Sequence, residues 1–187
     1  MLAGALIKMG GYGMIRLCVT LFPQVAHQYA SILVAISIVS VLYGAAVTLR
    51  QTDLKRMIAY SSISHMGYVL LGVFALSQVS LTGATLQMFS HGVITGLLFA
   101  TAGLVMHNTG ERDLRKLGGL ARQMPIITIV FSIAGLGALG LPTTSGFAAE
   151  FLVFVGSYTS TAVAGIQVYT ILAVLGIVVT AGYILWM

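Results

Sequence analysis

The stretch that decides the fold is GLGALGLPTTSGF, Gly135–Phe147. It sits inside an apolar run, approximately residues 125–157, that is too long for one straight membrane helix, because about 20 apolar residues already span the hydrocarbon. Pro142 lacks an amide hydrogen, and Gly140 and Gly146 relax the backbone. The sequence therefore predicts a helix break near residues 140–146. In a bilayer, backbone groups freed by a break are tolerated only where protein buries them or water reaches them. Discontinuous helices of this kind line ion and substrate paths in transporters. A proline kink that serves packing alone is the competing reading.

Working outward, five further apolar runs lie at approximately 1–21, 29–49, 57–77, 82–106 and 164–187. With 58% hydrophobic and 7% charged residues in 187, the composition is far from the roughly 45–50% apolar and 25% charged of soluble domains. The sequence predicts an integral membrane protein. A transmembrane barrel would need repeated ten-residue alternation, and internal repeats would need a fixed period; the sequence has neither. The expected fold is all-α: a polytopic transmembrane bundle of about six helices, one of them broken, forming a single domain over 1–187. The opening MLAGALIKMGGYG lacks the charged n-region and cleavage site of a signal peptide, and the closing TAGYILWM stops in an apolar run. Both ends suggest an internal fragment of a longer membrane protein.

The formal net charge of +5 does not point to nucleic acid, since the basic residues form no patch with interleaved aromatics. Arg50, Lys55, Arg56, Arg112, Arg115, Lys116 and Arg122 fall in the second and fourth connections, and the other connections carry no Lys or Arg. The positive-inside rule places those two loops in the cytoplasm. The single cysteine, Cys18, excludes an internal disulfide, a Cys-rich metal site and an iron–sulfur cluster held by this chain. No G-x-S-x-G elbow, Walker loop or H-E-x-x-H occurs, so hydrolytic chemistry is poorly supported. The glycines of KMGGYG lie in an apolar helix without a preceding strand, and close helix packing explains them.

Against this background the buried polar residues stand out. Lys8 precedes the expected helix end at Phe22-Pro23 by roughly 21 Å of helix, which puts it near mid-depth; Arg16, about 9 Å from that end, can snorkel. His65 lies about ten residues beyond the Lys55-Arg56 pair, hence roughly 15 Å into the membrane. Ser61, His65 and Tyr68 share one helical face. His91 enters from the opposite side to similar depth, and Gln87, His91 and Thr95 form a second polar stripe. A lone membrane histidine is often an interhelical hydrogen bond and nothing more, but two at matched depth on antiparallel neighbours suggest more. Glu150, in GFAAEFLVF, needs a partner, water or a proton. Asp53, Glu111 and Asp113 sit among basic loop residues as solvated surface, and His27 and His107 lie at helix ends.

Lys8, His65, His91 and Glu150 are all titratable. Desolvation disfavours the charged form of each type and draws their dissimilar reference values toward neutrality, as a proton relay requires. Two such groups about 8 Å apart would perturb one another by about 2 kcal/mol at an effective dielectric near 20. Two rival readings remain: His65 and His91 as axial ligands of a haem, and a passive membrane scaffold.

The segments LIKMGGYGMIR (6–16), QTDLKRMIAYSSISHMGYVLLG (51–72), LQMFSHGVITGLLFATAG (86–103) and GLPTTSGFAAEFLVFVGS (140–157) resemble the antiporter-like subunits M, or chain 4, of proton-pumping NADH:quinone oxidoreductase, respiratory complex I. The resemblance covers essentially the whole chain. It implies about fourteen helices in two inverted repeats, of which this chain would hold the eighth through most of the thirteenth. It implies that Lys8 is the central lysine joining two half-channels, that His65 and His91 belong to the connecting polar axis, and that Glu150 is the acid on the broken twelfth helix. The sister subunits L and N typically carry lysine at that last position, so Glu150 favours the M type. The implied partners are other membrane subunits, the lipid bilayer, protons and water. NADH, FMN, Fe–S clusters and quinone would belong to other subunits, with no cofactor on this chain. A bacterial inner membrane is the expected location, with mitochondrial inner or thylakoid membranes as variants. The alternative assignments are a multi-subunit cation/proton antiporter or a membrane-bound hydrogenase.

Overall fold

The computed structural model describes residues 2–187, so the expected first span and the expected domain begin one residue outside it. Its helices are α1 (Ile7–Gly13), α2 (Pro23–Leu49), α3 (Leu54–Phe74), α4 (Gln78–Thr109), α5 (Leu120–Gln123), α6 (Pro125–Ala138), α7 (Ser145–Tyr158) and α8 (Ile166–Trp186), with wider π-helical turns at Leu2–Leu6 and Met14–Val19 on either side of α1. No strand occurs among the described residues. The all-α expectation therefore holds, and the chain is an integral membrane protein: α2, α3, α4 and α8 are each long and apolar enough to cross a bilayer. The π turns flanking Lys8 and the short α5 were not foreseen.

Local chemistry sets the helix ends. Pro23 and Pro125 occupy first-turn positions, where a missing amide hydrogen costs no bond. Asp53 caps α3 by accepting from the Arg56 amide at 3.0 Å. Gly110, at φ 70, ends α4 in the left-handed conformation that glycine adopts most readily. Thr144 caps α7, its hydroxyl accepting from the Phe147 amide at 3.4 Å.

The expected break lies between α6 and α7, beginning slightly earlier than the sequence indicates. Two residues within it have positive φ: Gly140 at 70° and Thr143 at 91°. The second is rare for a β-branched residue. Its neighbour Thr144 holds the turn by donating to the Leu141 carbonyl at 2.8 Å.

Helix α3 is the bundle's interior element, 72% of its apolar window being buried against 28% for α8. It packs on α2, α4 and α7, while α4 also contacts α6. Lipid is as apolar as leucine, so close backbone approach, not hydrophobic burial, joins membrane helices. Small residues mark the crossings. A Cβ on Gly44 would strike the Ser64 backbone, one on Gly83 the backbone of Leu152 and Val153, and one on Gly156 the backbone of Ser80. Between these contacts Val34, Val41, Tyr68, Leu71, Val153 and Ala173 form the main core.

The two basic loops are stitched together. The Leu54 amide donates to the Arg112 carbonyl at 3.1 Å and the Leu114 amide to the Thr52 carbonyl at 2.8 Å. Asp53 pairs with Arg112, Asp113 with Arg115 and Glu111 with Lys116. The loop acids thus form a clamp as well as a solvated surface. The Arg115 side chain, followed by its backbone amide, holds the Asp113 carboxyl at about 2, below its ordinary 3.8. The backbone amides of Arg112 and Asp113, with Lys116, also lower Glu111. Because folding depresses these values, their contribution is complete above the unfolded pKa and fades as pH falls through the folded one. Thermal unfolding of the detergent-solubilised protein is expected to show no pH dependence from these acids between pH 7 and 5, where their contribution is fully present, and a loss only below about 4.

Candidate functional site

The break determines where the site forms. Helix α7 restarts at Ser145, whose hydroxyl lies 2.8 Å from that of Ser90 on α4, and so carries Glu150 into the bundle at 5% exposure. There the Gln87 amide nitrogen donates to Glu150 Oε1 at 3.2 Å, and His65 Nδ1 lies 3.4 Å from the same oxygen. The other oxygen, Oε2, faces the break: a Cβ built on Gly140 would come within 2.7 Å of it.

From the carboxylate the polar groups continue across the bundle. The rings of His65 and His91 are 4.9 Å apart between centroids. The Thr95 hydroxyl lies 3.1 and 3.2 Å from the two ring nitrogens of His91. Lys8, 8% exposed, lies on α1, which packs on both α3 and α4, the helices that carry the two histidines. Each polar stripe read from the sequence thus faces the interior; His91, His65 and Glu150 lie in succession, and Lys8 is buried on the helix packed beside them.

His65 and Glu150, far apart in sequence, stand side by side. Beside the contact is a cavity of about 10 Å³ lined by His65, Gln87, Ser90, His91, Gly137, Gly146 and Glu150, among others. That volume is about what one water needs. Both ring nitrogens of His65, and Gln87 Oε1, are buried without a hydrogen-bond partner, so the 3.4 Å approach of Nδ1 to Glu150 is an ion-pair contact and not a hydrogen bond; both residues line the cavity. The haem reading fails on space, because two rings in near contact leave no slot for a macrocycle. Gly140, Ser90 and Ser145 were missed as site components. Only the glycine carried a signal, and that signal spoke of the backbone alone.

A broken helix with a carboxylate tucked beneath its bend, facing a histidine pair and a lysine on neighbouring helices, defines the antiporter-like class of membrane domain. The chain belongs to the NADH:quinone oxidoreductase/Mrp antiporter transmembrane family, whose model matches residues 1–176. It is 45% identical over 183 residues to the F(420)H(2) dehydrogenase subunit M of Methanosarcina mazei, covering 97% of this chain and 36% of that protein. It is 43% identical over 184 residues to the NADH-quinone oxidoreductase subunit M of Rickettsia felis, covering 98% and 36%. It also superimposes on a chain of respiratory complex I from Thermus thermophilus with bound NADH, with a TM-score of 0.90 and 33% identity, covering 96% of this chain and 38% of that one. The chain thus spans about a third of the length of these relatives.

Proposed function

We propose that this chain forms part of a proton-translocating membrane subunit of an NADH:quinone oxidoreductase. Lys8 is the central relay, His65 and His91 are the carriers, and Glu150 is the terminal exchange site. The observation that carries the reading is the contact of His65 with Glu150 at 3.4 Å, continued by His91 toward Lys8. At that separation a charge on either side chain acts directly on the other. One water in the adjoining cavity would give His65 Nε2 a path to its neighbours.

The names of the relatives support the assignment to a quinone-linked complex. One relative is named for F(420)H(2) and another for NADH. The remaining partners would be sister membrane subunits, and the Rickettsia relative supports a bacterial inner membrane. On this reading NADH, FMN, Fe–S clusters and quinone would sit in further subunits of the complex, with no cofactor on this chain.

Lys8→Ala in the intact complex tests the relay against a scaffold role. Proton uptake into vesicles, measured with quinone reduction, is expected to fall by about 10²-fold, as on removal of a positioned proton carrier. Wild-type uptake in assembled Lys8→Ala complex would favour the scaffold.

A further inference from the structure

The relay leaves one buried group of titratable side chains unused. Tyr68 and Tyr183 are both 0% exposed. Side chains lean toward the N-terminus of their helix, and α3 and α8 start at opposite faces of the bundle, so the two tyrosines point toward each other. Their meeting point is Thr180, whose hydroxyl accepts from Tyr183 at 3.3 Å and donates to the Gly176 carbonyl at 3.0 Å. The Tyr68 hydroxyl is enclosed without a hydrogen bond and lies against Gly176, where an added Cβ would come within 2.7 Å of it, beside the carbonyl that receives the Thr180 proton. The Ser64 proton is committed to the Val41 carbonyl at 3.0 Å. A hydroxyl in apolar packing is costly to leave unpaired, so a phenylalanine would serve packing better at Tyr68.

The two ends of this group are informative. Tyr68 stacks edge-on against His65, with ring centroids 6.0 Å apart, and His65 is the side chain that meets the Glu150 carboxylate. Tyr183 packs with Ala45, Met57 and Leu114, and Leu114 belongs to the loop stitched to Thr52. The group therefore runs from the Glu150 level to the underside of the basic loops.

We propose that Tyr68, Thr180 and Tyr183 form a hydroxyl branch through which the Glu150–His65 pair exchanges protons with the basic-loop face of the membrane. The inference rests on the relay reading above. A proton arriving at Tyr183 releases that residue's own proton to Thr180. Thr180 turns its hydrogen from the Gly176 carbonyl to Tyr68, and Tyr68 passes its proton through a bridging water to the Glu150–His65 pair, which its hydroxyl does not touch directly. Each O–H bond broken is replaced by one formed, and rotation of the hydroxyls resets the branch.

The test uses the intact complex in oriented vesicles and follows the infrared carbonyl band of Glu150, assigned by its loss in Glu150→Gln. Protonation is triggered by a pH jump applied to one face at a time. Tyr68→Phe and Tyr183→Phe are each expected to slow protonation from the basic-loop face by about tenfold and to leave protonation from the other face unchanged. The double variant should be no slower than either single one. Thr180→Val should behave likewise and Thr180→Ser should keep the wild-type rate, while Tyr43→Phe, at a tyrosine 62% exposed on α2, should change nothing. Wild-type rates in Tyr68→Phe and Tyr183→Phe, or equal slowing from both faces, overturn the branch. If Glu150→Gln pumps normally, the relay itself falls, an outcome distinct from loss of the branch alone.

Discussion

Glu150→Gln in the intact complex is expected to reduce proton translocation by about 10²-fold or more, the usual scale for loss of a positioned proton-exchanging group. The substitution suits this site because it preserves shape. The new amide oxygen can still accept from the Gln87 nitrogen that now donates at 3.2 Å, and it still faces His65. Helix packing around α7 relies on Gly83 and Gly156, which the change leaves alone. What disappears is the capacity to take up and release a proton in register with His65. Alanine would be a poorer choice, because it would strand Gln87 and open a cavity. Proton uptake measured with quinone reduction is the readout, and unchanged pumping would exclude the proposed role of Glu150.

The second large effect is expected at Gly140, where alanine meets two penalties at once. Its φ of 70° costs a side-chain-bearing residue about 1–2 kcal/mol. The added methyl carbon would lie 2.7 Å from Glu150 Oε2, closer than carbon and oxygen can approach, so the carboxylate must move. A glutamate is flexible enough to do so, but this one is held by Gln87 and His65, and any shift loosens one of them. Gly140→Ala is thus expected to assemble and yet to translocate protons about tenfold more slowly, with a displaced Glu150 carbonyl band. Gly103→Ala is the matched control, since a Cβ there meets nothing within 4 Å. Normal pumping by Gly140→Ala would mean the carboxylate has slack and that the break does not position it.

What the sequence discloses and what it hides have physical reasons. Hydropathy marks the spans because the bilayer fixes their length, and Pro142 with Gly140 marks the break because missing amide hydrogens and positive φ are local properties. Helical periodicity places Gln87, His91 and Thr95 on one face, but periodicity names a face, not the partner across from it. The contact of His65 with Glu150 joins α3 to α7, and only tertiary packing creates it. The same holds for Tyr183, which reads as ordinary aromatic content until α8 is seen to run antiparallel to α3. The wide turns at Leu2–Leu6 and Met14–Val19 lack even a local signal, since their backbone angles at the junctions, such as −63° and −41° at Met14, are those of an ordinary helix.

The glycine crossings of α4 with α7 bear on how such a machine could move. Where Gly83 meets Leu152 and Val153, and Gly156 meets Ser80, main chain rests on main chain with no side chains between to flex. With that contact the two helices are expected to move as one body that carries Gln87, His91 and Glu150 with it. Any stroke that alternately opens the carboxylate to one side and then the other therefore falls to the elements beyond that body, the bend at residues 139–144 and helix α6. Labels placed across α6 and α7 should register motion, and labels across α4 and α7 should stay at a fixed separation.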